Sequence, residues 1–122
     1  MKLMIVDDSL IIRNKINRNL LTQFSKIIRA NNGKQALDAV LLERPNIITM
    51  DLTMPEMGGV EAIQKILKIV PNTRILVISA LADKATAIQA LTLGANGFLC
   101  KPFNKEDLET AIQRILNLEL TS

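Results

Sequence analysis

Five short apolar runs alternate with five longer amphipathic segments along the chain, and this alternation constrains the fold more than any other feature. The runs are Leu3–Val6, Ser25–Ala30, Asn46–Met50, Arg74–Ile78 and Gly97–Cys100. Several are rich in Ile and Val and lack a polar residue at every second place. A strand covered by helices on both faces reads this way, because both sets of alternating side chains are buried. Between the runs, helical spacing covers Ser9–Thr22, Gly33–Glu43, Gly59–Val70, Asp83–Leu93 and Asn104–Leu118. In the last, Leu108, Ala111, Ile112, Ile115 and Leu116 form one apolar stripe. Ser9, Asp83 and Asn104 are candidate N-caps, Pro45 and Pro71 follow helix ends, and Gly94 closes the fourth helix. No internal repeat or linker interrupts the pattern, and 122 residues leave room for one core. Five consecutive strand–helix units with right-handed crossovers predict an α/β fold, a single (βα)5 doubly wound open parallel sheet.

Parallel strands deliver the residues that follow them to one edge of the sheet. Asp7 and Asp8 follow the first run, Asp51 the third, Ser79 the fourth and Lys101 the fifth. In an open α/β sheet these carboxyl ends meet in a crevice where the strand order reverses. Residues distant in sequence thus become neighbours.

The composition limits what such a crevice can do. Histidine is absent and Cys100 is the only cysteine. Zinc and iron–sulfur sites, disulfide frameworks and nucleophiles paired with histidine are therefore excluded or implausible. What remains is oxygen ligands and lysine, the donor set of a hard cation. Three carboxylates in one crevice repel one another unless a cation sits among them, and Mg²⁺ fits that role. With Lys101 and the Ser79 hydroxyl added, the group suits the equatorial oxygens of a phosphoryl group, with a carboxylate as nucleophile. Taken singly, an aspartate after a strand is usually a turn or cap residue. The joint pattern at four strand ends is what carries the reading.

The stretches Met-Ile-Val-Asp-Asp-Ser (4–9), Met-Asp-Leu-Thr-Met-Pro-Glu-Met-Gly-Gly (50–59), Ile-Ser-Ala (78–80) and Lys-Pro-Phe (101–103) carry a resemblance. In order and spacing they resemble the receiver domain of bacterial two-component response regulators, over essentially the whole chain. The Met-Pro-Glu-Met run and the compact length are similar to the stand-alone, CheY-like chemotaxis type, features that other single-domain receivers share. The resemblance implies the flavodoxin-like strand order 2-1-3-4-5. It also implies that Asp51 accepts a phosphoryl group from a phosphohistidine on a partner histidine kinase. Mg²⁺ (or Mn²⁺) would be held by Asp8 directly, Asp7 mainly through water, Asp51 and the backbone carbonyl of Thr53. Lys101 would pair with the phosphoryl oxygens, and Ser79 would reach them in the active state. Phe98 matches the aromatic switch that moves with that hydroxyl, although filling the core is its plainer role. The bond before Pro102 is expected to be cis. Output is expected through the face of the fourth helix, fifth strand and fifth helix, which binds a downstream protein when the phosphoryl group shifts the conformational population.

Other positions refine the expectation. Leu81, two residues beyond Ser79, offers no polar group to orient water, which implies slow self-dephosphorylation. Asn96 stands where many DNA-binding relatives have an acid used in dimer contacts, so a monomer is expected. Cys100 reads as a small buried hydrophobe. Net charge is +3, and residues 1–30 hold six basic and two acidic groups against nine and ten in the rest. That excess, chiefly Arg13, Lys15 and Arg18, is either a solvated helix face or a surface steering toward an acidic partner, beside Leu10 and Ile11 for kinase docking. No run of basic residues or nucleic-acid-binding motif accompanies it. The first apolar run is cut off by two aspartates, so neither a signal peptide nor a membrane span is expected and a cytoplasmic setting follows.

The expectation is therefore a receiver domain over residues 1–120, a short tail at 121–122 and no output domain. It is a phosphoacceptor that assists its own phosphorylation, not a multiple-turnover enzyme. A fragment of a larger regulator is one alternative. A Mg²⁺-dependent phosphatase with an aspartate nucleophile is the other, disfavoured because Thr53 stands where an acid is needed. Without histidine, the chain cannot itself be the phosphohistidine donor.

Overall fold

The computed structural model describes residues 1–121, with side chains as far as Asn117. In chain order the elements are β1 (Lys2–Val6), α1 (Leu10–Leu20), β2 (Lys26–Ala30), α2 (Gly33–Glu43), β3 (Ile47–Met50) and α3 (Gly59–Ile69). There follow β4 (Arg74–Ala80), a 3₁₀ turn (Leu81–Asp83), α4 (Lys84–Thr92), β5 (Gly97–Lys101) and α5 (Lys105–Thr121). All five strands are parallel, in the order β2-β1-β3-β4-β5, so the order expected from the resemblance holds.

Each strand sends alternate residues to opposite sides. Leu3, Ile5, Ile47, Leu76 and Ile78 face a layer completed by Ile16, Leu20, Leu108, Ile112 and Ile115 of α1 and α5. Met4, Val6, Ile48, Met50, Ile75 and Val77 face the other layer, with Ala36, Val40, Ala62, Ile63, Ile66, Ala87 and Ala90 of α2, α3 and α4. This double coverage is why β1 after Lys2, and β3 apart from the buried Thr49, are apolar without polar alternation. The edge strands β2 and β5 are only partly buried.

Local chemistry sets the boundaries. Ser9 caps α1, its hydroxyl accepting from the Ile12 N–H, and Asn104 caps α5 by accepting from the Asp107 N–H at 2.7 Å. Asn32 does the same for α2, a cap that the apolar pattern alone did not mark. Asp83 differs from expectation: it precedes α4 but makes no side-chain cap. Its carboxylate turns back toward the end of β4. Gly94 takes φ +121, a conformation open to glycine, as the chain leaves α4. Beyond the expected end at Leu118, α5 continues to Thr121; Ser122, the end of the expected tail, lies outside the described residues.

Among the described residues, no helix is long and apolar enough to cross a membrane.

Candidate functional site

The parallel register delivers the chemistry-bearing residues to one edge. The Asp51 N–H donates to the Val6 carbonyl at 2.9 Å and the Asp7 N–H to Ala30 at 3.1 Å, so both aspartates are held by extension of the ladder. Ser79 lies inside β4 opposite Cys100, and Lys101 ends β5 opposite Ala80. Both belong to the strands themselves rather than to the loops beyond, which limits their reach by the backbone.

The crevice is acidic, and largely buried. Oxygens from Asp7, Asp8 and Asp51 all lie within 4.8 Å of one another. Asp7 and Asp51 are buried while Asp8 opens to solvent. Asp7 is the best secured: its carboxylate accepts from the Ser9 N–H at 2.9 Å, and its carbonyl accepts from the Arg13 guanidinium at 2.6 Å. The Lys101 ammonium lies 2.9 Å from Asp7 Oδ2 and 3.4 Å from Asp51 Oδ1. Burial alone would push the lysine down, but the hydrogen bond and charge of Asp7, followed by those of Asp51, outweigh it and hold Lys101 above the ordinary value. Burial, reinforced by the charges of Asp7 and Asp8 and only partly opposed by Lys101, pushes the Asp51 carboxyl up from 3.8 to about 6.

Ser79 is fully buried. Its hydroxyl donates to Asp83 Oδ2 at 3.1 Å, and the exposed Thr53 donates to the same oxygen at 3.5 Å. The sequence reading missed this role for Asp83, having placed it as a helix cap. The acid four residues beyond Ser79 was the available signal, but only the 3₁₀ turn reveals which way it faces.

The loop from β3 to α3 approaches so closely that Gly59 is required. A Cβ there would run into the Asp51 carbonyl oxygen and come within 2.8 Å of Leu52 Cα. The Lys101–Pro102 peptide is cis. Phe98 pairs with Val77 on β5 and packs, half-buried, against the α2–α3–α4 layer. Cys100 is half-buried rather than enclosed, its thiol donating to the Lys101 carbonyl. Asn96 ties the start of β5 to β4, accepting from the Ile75 N–H through its side chain at 2.8 Å and donating its own N–H to the Ile75 carbonyl.

Two of the three α1 cations are committed within the chain. Arg13 holds Asp7, and Lys15 donates to the Phe103 carbonyl while lying 4.3 Å from the centre of the Phe103 ring. Arg18 alone of the three is exposed. The basic excess therefore serves in part to pin the crevice walls.

The response regulator receiver domain profile matches residues 3–113, which take in β2 to β5, all of β1 but Lys2, and every site residue above. The chain belongs to the response regulator receiver domain family. The chemotaxis protein CheY of Thermotoga maritima is 36% identical over 116 residues, covering 93% of this chain and 96% of that one. The regulatory protein AtoC of Escherichia coli is 32% identical over 118 residues, covering 97% of this chain but 26% of the larger protein. The crystal structure of Vibrio cholerae chemotaxis protein CheY4 superimposes with a TM-score of 0.86 at 30% identity, covering 93% of this receiver and 97% of CheY4. Receivers thus occur both as CheY-sized chains and within larger regulators. As a class they are phosphoacceptors rather than multiple-turnover enzymes; they take their phosphoryl group from histidine kinases and generally use Mg²⁺.

Proposed function

We propose that Asp51 is the phosphoacceptor of this receiver, and that phosphorylation alters how the chain binds another protein. The observation that carries the reading is the placement of a buried carboxylate, raised to about 6, beside two further carboxylates and a lysine 3.4 Å away.

The oxygen cluster of Asp7, Asp8 and Asp51 fits a divalent cation. Its donors are hard, and Asp51 is displaced upward first by burial and then by the charges of Asp7 and Asp8, which Lys101 only partly offsets. Asp8, Asp51, the Thr53 carbonyl and, through water, Asp7 would hold Mg²⁺ or Mn²⁺. Once bound, the ion would neutralise charge on the transferring phosphoryl oxygens.

The chain's own residues do the rest. Ionised Asp51 attacks phosphorus, forming the acyl phosphate as the bond to the donor imidazole breaks. The leaving nitrogen keeps the electron pair. Lys101 pairs with the phosphoryl oxygens, and the Ser79 hydroxyl donates to them once it leaves Asp83. The new group carries about two negative charges and favours the conformation in which both contacts are made. Half-buried Phe98 lies on β5 and packs against the layer that includes Ala87 and Ala90 of α4, a helix that also exposes Ile88 and Leu91. These residues support the α4–β5–α5 face as the output surface and Phe98 as the group that moves. Leu81, exposed and apolar at the crevice rim, supports slow loss of the phosphoryl group. Likeness to chemotaxis proteins supports motility as the setting, and Asn96 in place of an acid supports a monomer as the working state.

Incubation with acetyl phosphate and Mg²⁺, followed by intact mass, tests the assignment. One base-labile phosphate is expected, absent in EDTA and in Asp51→Asn. No adduct on the wild type would overturn the phosphoacceptor role. Repeated turnover of a phosphomonoester would favour a phosphatase instead.

A further inference from the structure

Asp83 accepts a hydrogen bond from the one hydroxyl that the phosphoryl group would recruit. Ser79 is fully buried, so in the resting arrangement Asp83 rather than water takes its proton. A serine hydroxyl has a single proton to donate. While that proton is directed to Asp83 Oδ2 at 3.1 Å, it is not directed to a group on Asp51. The same oxygen also accepts from Thr53 at 3.5 Å. One carboxylate oxygen thus joins the β3–α3 loop, which follows the phosphoacceptor, to the turn that follows β4.

We infer that Asp83 is a positioning residue that acts through Ser79, a competing acceptor that holds the hydroxyl in the resting arrangement and sets how readily the receiver switches. The inference deepens the proposed function and rests on it. Two acceptors compete for one buried proton: a carboxylate already in place and a doubly charged phosphoryl group. Hydrogen bonds to charged acceptors are stronger than neutral ones, so exchanging one for the other nearly balances. The resting contact therefore subtracts from the gain of the active one. Removing Asp83 leaves the Ser79 hydroxyl buried without an acceptor, a state that a phosphoryl group relieves. An Asp83 that instead acted by charge alone would weaken phosphoryl binding whether or not residue 79 had a hydroxyl.

The test is a double-mutant cycle read with beryllofluoride, an inert phosphoryl mimic, in Mg²⁺. Affinity would be measured by calorimetry for the wild type, Asp83→Ala, Asp83→Asn, Ser79→Ala and the Asp83→Ala/Ser79→Ala double variant. The cycle is expected to show a rise of about fivefold to tenfold for Asp83→Ala and a smaller one for Asp83→Asn, which keeps an acceptor oxygen but loses the charge. In the Ser79→Ala background, loss of Asp83 is expected to change affinity by less than about twofold. An equal rise in both backgrounds would overturn the inference in favour of simple repulsion. No rise in either would overturn it outright, as would a fall. Circular dichroism confirms that each variant is folded, and Asp83→Asn, near-isosteric, carries the test if the alanine variant is not. Should the wild type bind beryllofluoride and accept phosphate while the Asp83 variants behave like it, only the competing-acceptor role fails. Should the wild type do neither, the phosphoacceptor reading falls and takes this inference with it.

Discussion

Replacing Asp51 by asparagine is expected to stabilise the metal-free protein, an unusual result for a buried site residue. In the fold, burial first, then Asp7 and Asp8, push its carboxyl from 3.8 to about 6. At neutral pH the carboxylate is therefore ionised at the expense of the fold. The displacement corresponds to about 3 kcal/mol at most. The crevice opens to solvent at exposed Asp8, and screening reduces the figure to about 1–2 kcal/mol. For a domain of this size that is a rise in Tm of about 4–8 °C. The sign follows from proton counting. Below about pH 4 the side chain is protonated in both states and contributes no difference. Between about 4 and 6 the folded state binds the extra proton, so wild-type stability falls relative to Asp51→Asn as pH rises. Above about 6 the gap stays constant. The chain has no Trp or Tyr, so far-UV circular dichroism rather than fluorescence should follow thermal unfolding, in EDTA across this range. Added Mg²⁺ should then stabilise the wild type more than the variant and narrow the gap. An Asp51→Asn protein no more stable than wild type at about pH 7.5, or a gap of equal size at about pH 4, would refute the reasoning.

The same displaced carboxyl should make cation binding depend on pH. Below about 6 a proton occupies Asp51 and must leave, so Mg²⁺ affinity should fall about tenfold for each further pH step of one and level off above about 7. Calorimetry in two buffers of different ionisation enthalpy measures the released proton; an affinity constant from about pH 5 to 7 would contradict the site. Separately, Gly59→Ala should cost about 2–4 kcal/mol, because its Cβ meets the backbone of Asp51 and Leu52, which cannot give way as a side-chain end can. Urea titration measures that loss, and a change below about 0.5 kcal/mol would show that the α3 start moves aside instead.

The layers of the fold and the membership of the crevice were legible because both follow from local rules. Ile and Val runs without polar alternation imply strands covered on both faces. Parallel strands then carry Asp7, Asp51, Ser79 and Lys101 to one edge whatever their order. Strand order itself is a matter of long-range pairing and came from resemblance to known receivers. Asp83 was misplaced for a different reason. An aspartate before a helix satisfies the sequence rule for an N-cap, yet here a 3₁₀ turn over Leu81–Asp83 directs its carboxylate to Ser79 and Thr53. Two acceptor roles competed for one side chain, and the buried hydroxyl decided between them. The cations of α1 show a similar limit: charge counts distinguish neither Lys15, bound to Phe103, nor Arg13, bound to Asp7, from exposed Arg18.

The resting contacts bear on how sharply such a receiver would switch. Lys101 lies closer to Asp7 than to Asp51, and Ser79 donates to Asp83. On the proposed reading, Ser79 is thus occupied by a carboxylate other than the one that receives the phosphoryl group, and Lys101 is shared between Asp7 and the receiving Asp51. Each exchange alone replaces one charged partner with another and gains little. A phosphoryl group adds about two charges at one point, close to β4 and β5 together, and makes both exchanges favourable at once. Because Ser79 and Lys101 lie on paired strands, with Ser79 opposite Cys100 and Ala80 opposite Lys101, movement of one strand end is felt by the other. Weakening either resting contact should therefore raise the active population before phosphorylation, whereas weakening both should raise it by more than the separate effects combined.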